Sequence, residues 1–121
     1  MSKPVLFPLV CVQAKLPAPV SEHKFCPTRR WRFDYAFIES RVAVECEGGV
    51  WIGGRHTSGS GFVKDCEKYS EAAALGWRII RVQPKDLLTS ATIELIRRAI
   101  NFPNNNTGGP AAAEPGRVIE R

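Results

Sequence analysis

None of the four cysteines, Cys11, Cys26, Cys46 and Cys66, forms a C-x-x-C pair with another. A zinc knuckle needs closely spaced ligands, so that class is excluded. A disulfide framework is also disfavoured. The chain shows no signal-peptide pattern, and Cys46 falls between two glutamates on a segment that reads as a central strand. Reduced thiols and a cytoplasmic setting are therefore expected. The longest apolar run is far short of the roughly 20 residues that cross a bilayer, so no membrane partner is expected. The glycine-rich stretch GGVWIGGRHTSGSG lacks a G-K-[ST] ending, which argues against nucleoside triphosphate binding. No internal repeat is present.

At 121 residues the chain has the length of one domain, and its 44% hydrophobic content supplies a modest core. The formal net charge is +5 and the pI is near 9.3. A basic exterior around an acidic centre suits a polyanionic partner such as nucleic acid.

Residues 4–16 are apolar and read as a helix, with Pro8 obscuring its start. Residues 21–26 read as a strand closed by Pro27. Residues 30–38 alternate, which predicts Trp31, Phe33, Tyr35 and Phe37 on one face and Arg32, Asp34 and Ala36 on the other. Residues 41–47 alternate too, with Val42, Val44 and Cys46 opposite Ala43, Glu45 and Glu47. A turn at Glu39-Ser40 makes these two strands an antiparallel hairpin. Residues 62–75 predict a helix with Phe62, Cys66, Tyr69 and Ala73 as its buried stripe and Gly76 as its stop. A strand over 77–82, a turn or short helix over 84–87 and a helix over 90–101 with Ile93, Ile96 and Ile100 on one face complete the order. The strand–helix–strand step from 41–47 to 77–82 predicts a parallel pair, hence an α/β fold with a mixed four-stranded sheet flanked by helices. From Pro103 onward the composition predicts a disordered tail.

The chemistry-bearing residues lie on the hairpin. Asp34 is followed by Glu45-Cys46-Glu47, and Glu45 and Glu47 share one strand face roughly 7 Å apart. Three carboxylates converging from adjacent strands are costly unless a positive charge sits between them. Mg²⁺, a hard cation that prefers carboxylate oxygens, fits that role. The pattern predicts metal-assisted phosphodiester hydrolysis.

The stretch RRWRFDYAFIESRVAVECEGGVWIGGRHTSGSGFVKDCEKYSEAAALGWRIIRV, residues 29–82, resembles the core of the PD-(D/E)XK nuclease superfamily. The likeness is to small phage and bacterial members akin to very-short-patch repair and DUF559-type endonucleases and to Holliday-junction resolvases. The resemblance implies a restriction-endonuclease-like core and a nuclease domain over 1–102, followed by the 103–121 tail. It implies that Asp34 and Glu45 bind Mg²⁺, with Mn²⁺ as a substitute. Many members place a further glutamate in an N-terminal element, and Glu22 is the only acid before Asp34. Glu47 stands where the family name has lysine. This departure leaves water activation to Glu47 itself or to a lysine of the next helix, Lys64 or Lys68. Lys68 is preferred because it lies off the predicted apolar stripe and can point back to the sheet.

Lys24, Arg29, Arg30 and Arg32 precede the Asp34 strand as a candidate phosphate-contact group. Arg55, His56 and Thr57, with Lys64 beyond them, form a second one in and after the glycine-rich stretch. Trp51 is a candidate for base stacking, set against ordinary packing. The chain has only two histidines, too few for an HNH-type site. The expected function is a Mg²⁺-dependent DNA endonuclease, foremost a structure-selective Holliday-junction resolvase acting as a homodimer. Residues 4–16 or 90–101 are the candidates for the dimer surface. The alternatives are a monomeric strand-nicking repair endonuclease and a catalytically inactive DNA-binding module.

Overall fold

The computed structural model describes residues 2–48 and 59–103, the side chains of residues 59 and 60 excepted. The chain runs α1 (Lys3–Gln13), β1 (Val20–Lys24), β2 (Arg32–Phe37), β3 (Val42–Cys46), α2 (Gly59–Ala74), β4 (Arg78–Val82), a 3₁₀ turn (Pro84–Asp86) and α3 (Ser90–Asn101). The sheet order is β1-β2-β3-β4. β1/β2 and β2/β3 are antiparallel and β3/β4 is parallel. This is the mixed four-stranded sheet flanked by three helices that the segment order predicts. The tail after Pro103 and the segment with Trp51, Arg55, His56 and Thr57 lie outside the described residues. Among the described residues no helix is long and apolar enough to cross a membrane. All four cysteines are free thiols.

The two sheet faces carry separate cores. Phe7 and Cys11 of α1 and Ile93 and Ile96 of α3 pack on Tyr35, Phe37, Val42 and Val44. On the other face, Ala72 of α2 meets Ala36 and Ala43, all three fully buried. Three alanines at one contact let the helix lie close to the strands.

Local chemistry explains the element ends. Thr89 caps α3 by accepting a hydrogen bond from the Thr92 amide at 3.3 Å. Gly76, at φ 91°, takes the left-handed position that ends α2, and the Trp77 amide reaches back to the Ala72 carbonyl at 2.9 Å. The Arg41 guanidinium also donates to the Leu75 carbonyl at 2.9 Å, setting positive charge at the negative end of the helix.

α1 continues through Pro8. Proline has no amide N–H, so the Pro4 carbonyl one turn earlier loses its helical partner. The Tyr35 hydroxyl takes that place, donating to the Pro4 oxygen at 2.8 Å, while its ring packs 4.5 Å from Phe7. Replacing Tyr35 with Phe keeps the ring and orphans the carbonyl. A loss of about 1 kcal/mol in urea denaturation is expected. No change would mean that water satisfies Pro4.

Strict alternation along β2 does not hold. Phe33 and Ala36 face α2, whereas Tyr35 and Phe37 face α1 and α3. The face changes between Phe33 and Tyr35, at Asp34. The β2/β3 ladder pairs Tyr35 with Val44, Ala36 with Ala43 and Phe37 with Val42. Beyond it, side chains replace backbone partners, as the next section describes. The predicted stripe of α2 is also corrected. Phe62 is 63% exposed, and Cys66 and Ala73 are exposed as well. The helix turns Ala72 inward, with Lys68, Tyr69 and Leu75 half-buried beside it.

Candidate functional site

Glu45 is the organising residue. It is only 6% exposed, a position that demands partners for both oxygens. Oε1 accepts from Lys68 Nζ at 2.9 Å and from the Tyr69 hydroxyl at 2.8 Å. Oε2 accepts from the Asp34 backbone amide at 2.9 Å. Asp34 returns the contact, its Oδ2 accepting from the Cys46 amide at 2.8 Å. Each carboxylate thus holds a main-chain amide beside the other. This cross-bracing replaces the ladder where β2 and β3 would next pair, and it accounts for the face change at Asp34.

The Asp34 side chain opens on the α1 side of the sheet, into a 340 Å³ concavity shared with Pro4, Val5, Ser21, Glu22, Tyr35 and Cys46. Burial pushes its carboxyl above the ordinary range, and the neighbouring charges of Glu45 and Glu22 add to the shift. The Cys46 amide and Lys68 pull the other way without cancelling it. Glu22 occupies the β1 position between the pairs Ser21–Tyr35 and His23–Phe33, opposite Asp34. Its φ of 53° is left-handed backbone, a strained conformation for a non-glycine residue. Its carboxylate is exposed and lies 3.8 Å from Arg32.

Glu47 departs from the expected convergence. Both its oxygens meet Arg81, with Nε at 2.5 Å and Nη2 at 3.0 Å. The Arg81 guanidinium in turn sits 4.5 Å over the Tyr69 ring. Among the described residues no group of three or more His, Cys, Asp or Glu side chains is gathered to hold an ion. Asp34 opens toward α1, Glu45 lies under α2, and Glu47 is drawn aside by Arg81. What comes together is Glu45 and Lys68, with Asp34 tied to Glu45 through its main-chain amide and sharing its own concavity with Glu22. Lys68 turns to the sheet, its ammonium also 5.9 Å from the Phe33 ring.

The predicted contact group before β2 is exposed at Lys24, Arg29, Arg30 and Arg32. Arg29 lies 4.1 Å over Trp31 and 3.5 Å from Glu67 of α2, which sets it near Lys68 in the chain. Lys64 is exposed on α2. Sequence reasoning missed two members of this constellation. Tyr69 carried the signal of an apolar stripe residue, but its hydroxyl needs a buried partner. That hydroxyl is held strongly protonated, by burial first and then by Glu45. Arg81 was hidden because its place depends on the parallel register, which sets it beside Glu45.

The chain matches no family model, no curated protein and no solved structure.

Proposed function

We propose that this protein is a Mg²⁺-dependent DNA endonuclease of the PD-(D/E)XK type, with a restriction-endonuclease-like core, acting on branched DNA such as a Holliday junction. The observation that carries this reading is the buried Glu45 carboxylate, which joins the Asp34 strand to the Lys68 ammonium. It gives an acid on each of two paired strands and a lysine of the following helix bound to one of them.

The donor set is compatible with the ion. Mg²⁺ keeps several waters and takes one or two carboxylates. A carboxylate has about four lone-pair sites; three on Glu45 and one on Asp34 are used by protein donors. Asp34 and Glu45 would hold the ion, with Glu22 reaching it from the rim. When bound, Mg²⁺ polarises the scissile phosphate and makes an attacking water more acidic. Lys68, anchored on Glu45, orients that water and offsets charge growing on the phosphate. The exposed Lys24, Arg29, Arg30 and Arg32 steer and hold the DNA backbone, and the setting is cytoplasmic. Two opposed strands must be cut in a junction, so the working form is a homodimer. The Val5, Leu9 and Val12 side chains, each more than half exposed on α1, offer an apolar strip for it.

A second reading rests on one observation. Both Glu45 oxygens already have protein donors, which suits a DNA-binding module without chemistry. Cleavage of a labelled four-way junction decides between them, run beside linear, nicked and single-stranded DNA with Mg²⁺, Mn²⁺ or EDTA. Paired incisions that need the metal and vanish in Asp34→Ala are expected. Incision of nicked duplex alone would indicate strand-nicking repair. Binding in EDTA without cutting under any condition would favour the inactive module.

A further inference from the structure

We propose that Arg81 grips a DNA phosphate beside the reacting one, and that Glu47 is its positioning residue rather than a metal ligand or a base. The inference deepens the nuclease reading and rests on it for the identity of the polyanion. It starts from charge. Glu47 lies two residues past Glu45, just beyond the end of β3. A free carboxylate at that point would repel a phosphodiester. Arg81 cancels it, meeting both oxygens through the Nε–Nη2 edge of its guanidinium.

A guanidinium has five N–H donors in a fixed fork. Using the Nε–Nη2 edge on Glu47 leaves the Nη1 end directed away from that carboxylate. The guanidinium carbon lies 4.5 Å over the Tyr69 ring, and Tyr69 is itself anchored on Glu45 at 2.8 Å. Arg81 is therefore tied to the Glu45 centre through two contacts and held in one orientation before any ligand arrives. Such prior ordering lowers the cost of binding.

Position supports the same role. Arg81 is the β4 partner of Glu45 in the parallel register, one strand spacing of roughly 4.8 Å away. Its side chain is 48% exposed. It walls both a 530 Å³ concavity along α2, with Phe62, Asp65 and Tyr69, and a 420 Å³ concavity beside α3, with Asp86 and Thr89. A cation on the ridge between two grooves, next to the candidate reacting centre, is placed to meet a backbone that passes over it.

The test measures anisotropy of a labelled four-way junction in EDTA, from about 50 to 200 mM NaCl, with calorimetric titration of Mn²⁺ on the free protein alongside. Arg81→Gln is expected to weaken binding about tenfold, the worth of one charged hydrogen bond. It should also flatten the log–log salt slope by about one. Arg81→Lys keeps the charge without the fork and should restore the slope but only part of the affinity. Circular dichroism on each variant checks that the fold persists. Glu47→Gln should leave the Mn²⁺ isotherm as in the wild type, while Asp34→Ala removes it. Unchanged affinity and slope in a folded Arg81→Gln protein would overturn the contact, as would a wild type that binds no DNA. A weakened Mn²⁺ isotherm in Glu47→Gln would return Glu47 to the metal site and overturn its positioning role. If Asp34→Ala also leaves the isotherm unchanged, it is the metal-nuclease reading that fails, and the Arg81 result still stands by its own slope.

Discussion

Replacing Glu45 with Ala is expected to cost about 3–5 kcal/mol of folding stability, because it strands a charge. Lys68 and Glu45 form the most buried ion pair among the described residues, their side chains 17% and 8% exposed. The substitution removes the acceptor for the Lys68 ammonium, the Tyr69 hydroxyl and the Asp34 amide together. A protein of this size has about 5–15 kcal/mol in total, so the variant should lie near the edge of folding. Replacing both partners tells a different story. Glu45→Leu with Lys68→Met removes the stranded ammonium and should regain that part of the loss, while the Tyr69 hydroxyl and the Asp34 amide stay without an acceptor. Urea denaturation followed by far-UV circular dichroism measures both. A cost below about 1 kcal/mol for Glu45→Ala, the value for an exposed pair, would mean that Lys68 swings out to water.

Asp34→Asn should do the reverse, stabilising the protein while abolishing the proposed cleavage. Burial, followed by the charges of Glu45 and Glu22, raises the Asp34 pKa in the folded state. The folded protein therefore holds that proton more tightly than the unfolded chain does. The contribution of Asp34 is favourable below the unfolded pKa and is lost as pH rises through the folded one. At neutral pH the ionised carboxylate is a burden. Asparagine removes the charge and keeps an oxygen for the Cys46 amide, now 2.8 Å from Asp34. A gain within the ~0.5–2 kcal/mol common for single stabilising substitutions is expected near pH 7, shrinking to nothing below about pH 4. Junction cleavage should fall by about 100-fold or more, the upper end of what loss of a supporting group costs a metal site. Equal stability of the two proteins from acid to neutral pH would show that Asp34 is fully hydrated. Undiminished cleavage would remove it from the chemistry.

What the sequence made legible follows periodicity. α3 was readable from Ile93, Ile96 and Ile100, and the β2–β3 hairpin from its alternation and the turn before Val42. α2 was misread because Phe62, Cys66, Tyr69 and Ala73 have helical spacing and apolar side chains. Hydrophobic pattern cannot register an ion pair that draws a lysine inward, and here Glu45 does that to Lys68. The closeness of Ala72 to Ala36 and Ala43 rotates the helix the same way. The face change in β2 was invisible for a related reason. Alternation assumes a continuous ladder, and Asp34 and Glu45 replace it with side-chain acceptors. The aspartate and both glutamates were singled out by type and spacing alone, yet the separation of Glu47 from Asp34 and Glu45 depends on Arg81, a partner 34 residues away in the chain.

The cross-bracing at Asp34 and Glu45 also makes the protein its own spectroscopic probe. Two main-chain N–H groups, those of Asp34 and Cys46, point at carboxylates instead of carbonyls. An amide proton's resonance follows the charge and distance of its acceptor. In a ¹⁵N-labelled sample these two signals will therefore read Glu45 and Asp34 respectively, one reporter for each acid. A cation, a proton or a phosphate arriving at either side chain is recorded in the backbone spectrum without any added label.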